Sequence, residues 1–379
     1  MERRKHIAAV LCACLLTGCT NQTASHTEIP TVPPLATDGT EPSVMQTEPS
    51  SESSDAPAAE ESERTLCRLV PVEFPEALTL PCAAVRNGQV YFCTSRTDAA
   101  SFAGTAELYQ LLPLENSQDK PYEPALYMPL FADAFAGVTA FSVLPEGGVC
   151  ALVCGDTDAS AALSPETYYE EPQRQWMLRL YDNTGAFVQE TDLTALSSDG
   201  IQLTFSGITA DAAGMICLTA VSDTRTELWV LDASGNLEKK IPADSFTAVS
   251  RIFTASDGRT LLFGQDDQYR TVLAELDPDA DKLLPLHIWE EDPPLMLCSS
   301  SGQDAFCCLA DETGICFWQG GQEEYVLFWE DTQLQGADVY WLEVLDDRTF
   351  AVLYTDSAGA AAAGILEILD KDQMFSELF

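Results

Sequence analysis

From about residue 65 onward the chain alternates short apolar runs with polar turns. Gly207–Pro242 shows the unit most plainly. Met215–Val221 and Leu228–Leu231 are apolar, and the turns Asp211-Ala-Ala-Gly214 and Asp232-Ala-Ser-Gly235 flank them. Runs of this length suit strands, and glycine supplies the positive φ that tight turns need. The pattern predicts an antiparallel meander. One such sheet cannot bury both of its faces, so copies must stack.

The copies are marked by their turn residues: Gly88, Gly148, Gly214, Gly258 and Gly302, with Asp347 in the equivalent place. The last three intervals are 44, 44 and 45 residues, and the first two are longer. The third run of each copy also aligns, as Leu228-Trp-Val-Leu-Asp232 does with Leu178-Arg-Leu-Tyr-Asp182 and Ile365-Leu-Glu-Ile-Leu-Asp370. Repeats of about 45 residues with four strands each predict an all-β fold, a β-propeller of four-stranded antiparallel blades. Six copies predict six blades. Seven stays open, because Tyr122–Val138 has room for another strand pair. Cys67–Phe74 is a strand with no blade of its own, and the last copy lacks an outer strand, so the two ends are expected to complete one blade together.

The N-terminus is of another kind. Arg3, Arg4 and Lys5 precede the apolar run Ile7–Leu16, which is too short to span a bilayer as a mature helix. The run ends in Leu16-Thr17-Gly18-Cys19, which resembles the lipobox of bacterial lipoproteins. That resemblance implies a diacylglyceryl group on Cys19 and cleavage just before it. Two acyl chains suffice for stable anchoring. Thr20–Arg64 is rich in Ser, Thr, Pro and Glu and reads as an unfolded acidic linker, reaching about 35–40 Å as a coil. The expected organisation is a signal peptide over 1–18, lipidated Cys19 and linker over 19–65, and a propeller over 66–379. The implied location is the extracytoplasmic face of the cell membrane in a bacterium of Gram-positive type.

Together with the lipobox and linker, Leu69-Val-Pro-Val-Glu-Phe-Pro and Asn87-Gly-Gln-Val-Tyr-Phe resemble the N-terminal β-propeller region of clostridial-type solute-binding lipoproteins. In that family a periplasmic-binding-protein-like module follows the propeller and delivers a solute to an ABC importer. This sequence reaches Phe379 with no such module. The resemblance therefore implies at most an accessory part in solute capture, and it carries over no ligand residues.

Charge narrows the partners. The net charge is −41, which disfavours nucleic acid, whose phosphates are bound through Lys and Arg, and equally a surface lying on anionic lipid. The expected partners are the membrane, through lipid on Cys19, and a glycan, a cationic ligand or an envelope protein. Catalysis is short of residues. Beyond the signal segment only His26 and His287 remain, and no Ser-His-Asp or Cys-His set can be built. No phosphate loop is present, so no cofactor is expected. Asp277, Asp279 and Asp281 imitate a calcium loop, but Lys282 and Ile288 replace its Gly and Glu, so no metal is expected either. Ten of the thirteen cysteines fall in the folded part, without CxxC spacing, mostly inside apolar runs. Export would permit disulfides, Cys67 with Cys82 among them.

Recognition is the better lead. In a four-stranded blade the 2–3 loops and the passages to the next blade share one end of the ring, and the tight Asp/Gly turns are expected at the other. Insertions and aromatic residues on the first end give the candidate ligand-binding set Tyr168, Tyr169, Trp289, Glu290, Trp329 and Asp331. Tyr or Trp beside carboxylates can hold a sugar face or a cationic group. The plainer account is that both tryptophans pack between blades. The leading expectation is a non-enzymatic binding lipoprotein. The alternative is a glycan-active hydrolase or lyase on the same scaffold, which needs charged side chains converging in the central funnel. A third, an assembly scaffold, would show a flat apolar patch.

Overall fold

The computed structural model describes residues 67–369, except 76–77, 79–80, 87, 98–102, 115–121, 135, 157–173, 198–202, 223, 256–257, 291–295, 302–305, 311–312, 320–321, 347–348 and 357. The expected signal peptide, Cys19 and the linker lie outside the described residues. Among the described residues no helix is long and apolar enough to cross a membrane.

β1 (Cys67–Pro71) comes first, and four-strand groups follow. The first blade is β2 (Cys82–Arg86), β3 (Gln89–Thr97), β4 (Ala103–Pro113) and β5 (Tyr122–Ala134). The second is β6 (Ala136–Val143), β7 (Val149–Asp156), β8 (Arg174–Tyr181) and β9 (Phe187–Asp192). The third is β10 (Thr204–Ala210), β11 (Ile216–Val221), β12 (Thr226–Leu231) and β13 (Leu237–Pro242). The fourth is β14 (Ala248–Thr254), β15 (Thr260–Gln265), β16 (Thr271–Asp277) and β17 (Lys282–Trp289). The fifth is β18 (Met296–Ser301), β19 (Phe306–Ala310), β20 (Gly314–Gln319) and β21 (Gln322–Phe328). Last come β22 (Asp338–Asp346), β23 (Thr349–Thr355) and β24 (Ala361–Ile368), with β1 as the outer neighbour of β24.

The fold is an all-β propeller of four-stranded antiparallel blades. Five blades consist of consecutive strands, and the remaining sheet is composite. This corrects the expectation of six, or seven, complete blades. The last copy supplies only β22–β24, a partial blade that β1 finishes through pairs from Cys67↔Ile368 to Pro71↔Gly364. No further pair hides in Tyr122–Val138, because Tyr122–Ala134 is used up as the long outer strand β5 and the next residues begin β6.

Burial explains why the repeat was visible. β11, β15 and β23 are buried along nearly their whole length, since a middle strand is covered on both faces by neighbouring blades. Strands buried on both faces read as unbroken apolar runs. The outer strands β9 and β13 are mostly exposed or half-buried, and they are richer in polar residues, although Phe187 and Val188 of β9 are exposed too. Aromatic rings fill the wedges between blades. Phe205 of β10 meets Trp176 of β8 at 5.8 Å and Trp229 of β12 at 5.1 Å. Phe92 of β3 meets Trp341 of β22 at 6.0 Å, joining the first blade to the composite sheet. Phe92, Phe205 and Trp229 are fully buried, and each contributes about 1.5–3 kcal/mol.

The innermost strands β6, β10, β14, β18 and β22 share one irregularity. Each shifts register near its start, between Val138/Ala140, Phe205/Gly207, Val249/Arg251, Leu297/Ser299 and Val339/Trp341. A bulge re-aims the side chains around it. The extra residue Ser206 donates its hydroxyl to the Val249 carbonyl of the next blade at 3.2 Å.

Candidate functional site

Five turns are built on one plan. They start at Asp182, Asp211, Asp232, Asp266 and Asp356, and each aspartate Oδ1 accepts the backbone N–H groups two and four residues ahead, at 2.8–3.0 Å. The fourth residue of each turn is left-handed. In four of them it is glycine: Gly185, Gly214, Gly235 and Gly359, with φ from 75 to 85°. In the turn at Asp266 it is Tyr269, with φ 62°. For a residue with a side chain this conformation costs about 1–2 kcal/mol. Tyr269 is also 78% exposed, the most exposed of the large hydrophobic residues described.

These turns stand at both ends of the ring, which corrects the expectation that tight Asp turns keep to one end. Asp182, Asp211 and Asp232 open 1–2 or 3–4 turns, whereas Asp266 and Asp356 open 2–3 turns between β15 and β16 and between β23 and β24. Tyr269 therefore sits on the end expected to carry recognition. Its turn is braced by Arg270. Arg270 Nε donates to Asp266 Oδ2 at 2.8 Å, and Arg270 Nη1 donates to Glu290 Oε1 at 2.8 Å. Burial alone would push the Asp266 carboxyl up, but the Arg270 N–H, the Arg270 guanidinium and the Gln268 N–H outweigh it and hold the group below its ordinary value. The same bond raises Arg270 further. The 2–3 turn that carries Tyr269 is thus tied to the exit from β17.

The residues singled out from sequence fare differently. Glu290 is exposed and joins this cluster through Arg270. Trp289 is 6% exposed and packs edge-on against Phe263 at 6.1 Å and His287 at 4.4 Å, so its indole is a wedge between strands. Trp329 begins a single 3-10 turn, Trp329–Asp331, and is half-buried against the core around Leu334 and Leu342. Its backbone N–H donates to the Thr313 carbonyl at 3.0 Å. Asp331 ends that turn. Tyr168 and Tyr169 lie outside the described residues. The plainer reading of both tryptophans, as packing residues, matches their burial.

Two arginines missed from sequence cross the axial space. Arg86, at the end of β2, passes β6 and donates to the Ala210 carbonyl of β10 at 3.0 Å. Arg251 of β14 passes β18 and donates to the Leu342 carbonyl of β22 at 3.0 Å, while also pairing with the Glu343 carboxylate. Its guanidinium carbon lies 5.8 Å from the centre of the Trp341 ring. The two arginines reach different levels and different strands, so they brace the ring in place of forming one cationic cluster. Nothing in the sequence singles them out. Tyr269 did leave a signal: Asp266-Asp-Gln-Tyr-Arg270 repeats the Asp-x-x-Gly frame with tyrosine in the glycine place.

No family model matches the chain, and no curated protein does. Among solved structures it is similar to a mutant of Trypanosoma rangeli sialidase with trans-sialidase activity, at 10% identity and a TM-score of 0.48. That match covers 82% of this chain and 58% of the sialidase mutant. It is also similar to the Dos1 propeller, at 12% identity and TM-score 0.40 over 78% of this chain and 69% of that one. A streptogramin B lyase matches at 12% identity and TM-score 0.41 over 81% and 88%.

Proposed function

We propose that the protein is an exported lipoprotein, anchored by acyl chains on Cys19 and held off the membrane by its acidic linker. In this reading its propeller works by binding, at the end of the ring that carries Tyr269. The composite sheet serves as a sixth blade, since β22 takes an innermost place beside β18 and Trp341 meets Phe92. The ligand is a sugar face or a cationic group, or an envelope partner that presents one, held on the Tyr269 ring beside Asp266 and Glu290.

The observation that carries the reading is the left-handed, exposed tyrosine. A strained backbone is retained where the surroundings hold it in place, and such residues cluster at binding and switch sites. Four sister turns use glycine there at no such cost, so the fold alone does not ask for an aromatic side chain. The hydrolase or lyase alternative would need Arg86, Arg251 and Glu343 free to meet a substrate, whereas Arg86 and Arg251 are tied to carbonyls and Glu343 to Arg251.

Two experiments test the two halves. Feeding cells a labelled fatty acid should mark the wild-type protein and leave Cys19→Ala unmarked and shed into the medium. An unmarked wild type would remove the anchor. A photo-crosslinking amino acid placed at 269 should give adducts on whole cells that the same group at Val188, on the outer strand β9, does not give. Adducts at 188 alone would move the binding face to the blade edge.

A further inference from the structure

Cys82 and Cys93 are register partners in the β2–β3 ladder. Directly opposed residues of an antiparallel pair have Cα atoms about 4.5–5.5 Å apart, within the roughly 4.4–6.8 Å that a disulfide spans. The neighbouring Cys82 side chain, together with complete burial, pushes the Cys93 thiol well above its ordinary value. Cys82 is half-buried, whereas Cys93 has no exposed surface. Among the paired strands described, no other two cysteines stand opposite each other. The sequence-based pairing of Cys67 with Cys82 finds no such geometry, since Cys67 stands opposite Ile368.

We propose that Cys82 and Cys93 form a dithiol–disulfide pair that closes across the first hairpin of the propeller. The oxidant is a small disulfide of the glutathione class. The Cys82 thiolate attacks one of its sulfurs, a Cys82–glutathione bond forms, and the first glutathione leaves as thiolate. Cys93 then attacks Cys82 Sγ, its proton passing to the second glutathione, which leaves as a thiol. Two protein thiols are oxidised and one external disulfide is reduced to two thiols. Exposure sets this order, because only Cys82 is within reach of an oxidant. The closed pair ties β2 to β3 on the face of the first blade that packs against Val138 and Phe141 of the second. None of this depends on the lipid anchor.

The test uses the purified mature chain. The folded protein is incubated with oxidised glutathione, then denatured in iodoacetamide and digested with trypsin without reduction. Trypsin cuts after Arg68, Arg86 and Arg96, so the two cysteines fall in separate peptides, 69–86 and 87–96. The expected product is those two peptides joined by a disulfide, with a higher melting temperature than the reduced protein. In Cys82→Ser, Cys93 should be recovered alkylated. Alkylation of both cysteines in the treated wild type would overturn the proposal. So would a lasting glutathione adduct on Cys82, or oxidation of Cys93 in the Cys82→Ser variant.

Discussion

Arg68 on β1 and Glu367 on β24 face each other across the ladder that completes the composite sheet, with Arg68 Nε donating to Glu367 Oε2 at 3.0 Å from 299 residues away. The pair is partly exposed, with Arg68 the more open of the two. A double-mutant cycle should give a coupling of only about 0.5–1 kcal/mol. The strand matters more than the bridge. Val70 and Val72 are buried where the composite sheet meets the first blade, and the Val72 N–H bonds the Ala363 carbonyl at 3.0 Å. Removing the chain through Val72 should lower the urea midpoint far more than Arg68→Ala does, because it exposes the edge of β24 along with that apolar surface. Urea titrations followed by circular dichroism compare the two.

Arg251 and Glu343 make a second bridge of a different kind. Glu343 is 6% exposed and Arg251 is largely covered in the axial space. Removing one partner of a buried pair strands the other charge, at a cost of about 3–5 kcal/mol. Glu343→Ala should therefore destabilise the propeller by roughly that much. Arg251→Met combined with Glu343→Leu should recover much of the loss. Denaturant unfolding of the wild type and the two variants reads this directly.

The aspartate turns give a pH signature. The carboxyls of Asp182 and Asp232 are held below the ordinary value of 3.8, the first by the Thr184 hydroxyl and backbone N–H groups and the second by the Asn236 side chain and N–H groups. Groups lowered by folding add stability that is complete above 3.8 and lost as pH falls through their lower folded values. Asp232→Asn keeps an acceptor oxygen but cannot titrate. Relative to wild type it should be less stable at neutral pH, and the gap should narrow as pH falls from about 5 towards 2. A gap that stays constant with pH would remove the carboxylate from the account.

Much of this architecture was legible in sequence because its cause is local. The middle strands are covered on both faces, so Ile216–Val221 and Thr349–Thr355 read as unbroken apolar runs, and turn glycines mark the period between them. Closure by the first strand was legible too, since Cys67–Phe74 had no partner of its own. The blade count was not, because a long outer strand such as β5 resembles two short ones until its pairing is known. Even the turn marker slips by one residue in the second blade. The left-handed glycine there is Gly147, while a Cβ on Gly148 would lie 2.6 Å from the Tyr181 carbonyl oxygen. The candidate site was harder still. Trp289 and Glu290 are neighbours in sequence, yet Trp289 closes β17 buried and Glu290, one residue past the strand, is exposed. Arg86 and Arg251 acquire their roles only when strands two blades apart are brought around a common axis.

The central claim is that Tyr269 holds its strained backbone for the sake of what its ring meets. Equilibrium unfolding of Tyr269→Gly tests it most directly. The account predicts a stability gain of about 1 kcal/mol or a little more, because glycine takes the left-handed turn without strain and little packing is lost with a ring so exposed. A variant that is instead less stable would mean the ring is held by its own fold, and the case for a binding face there would fall.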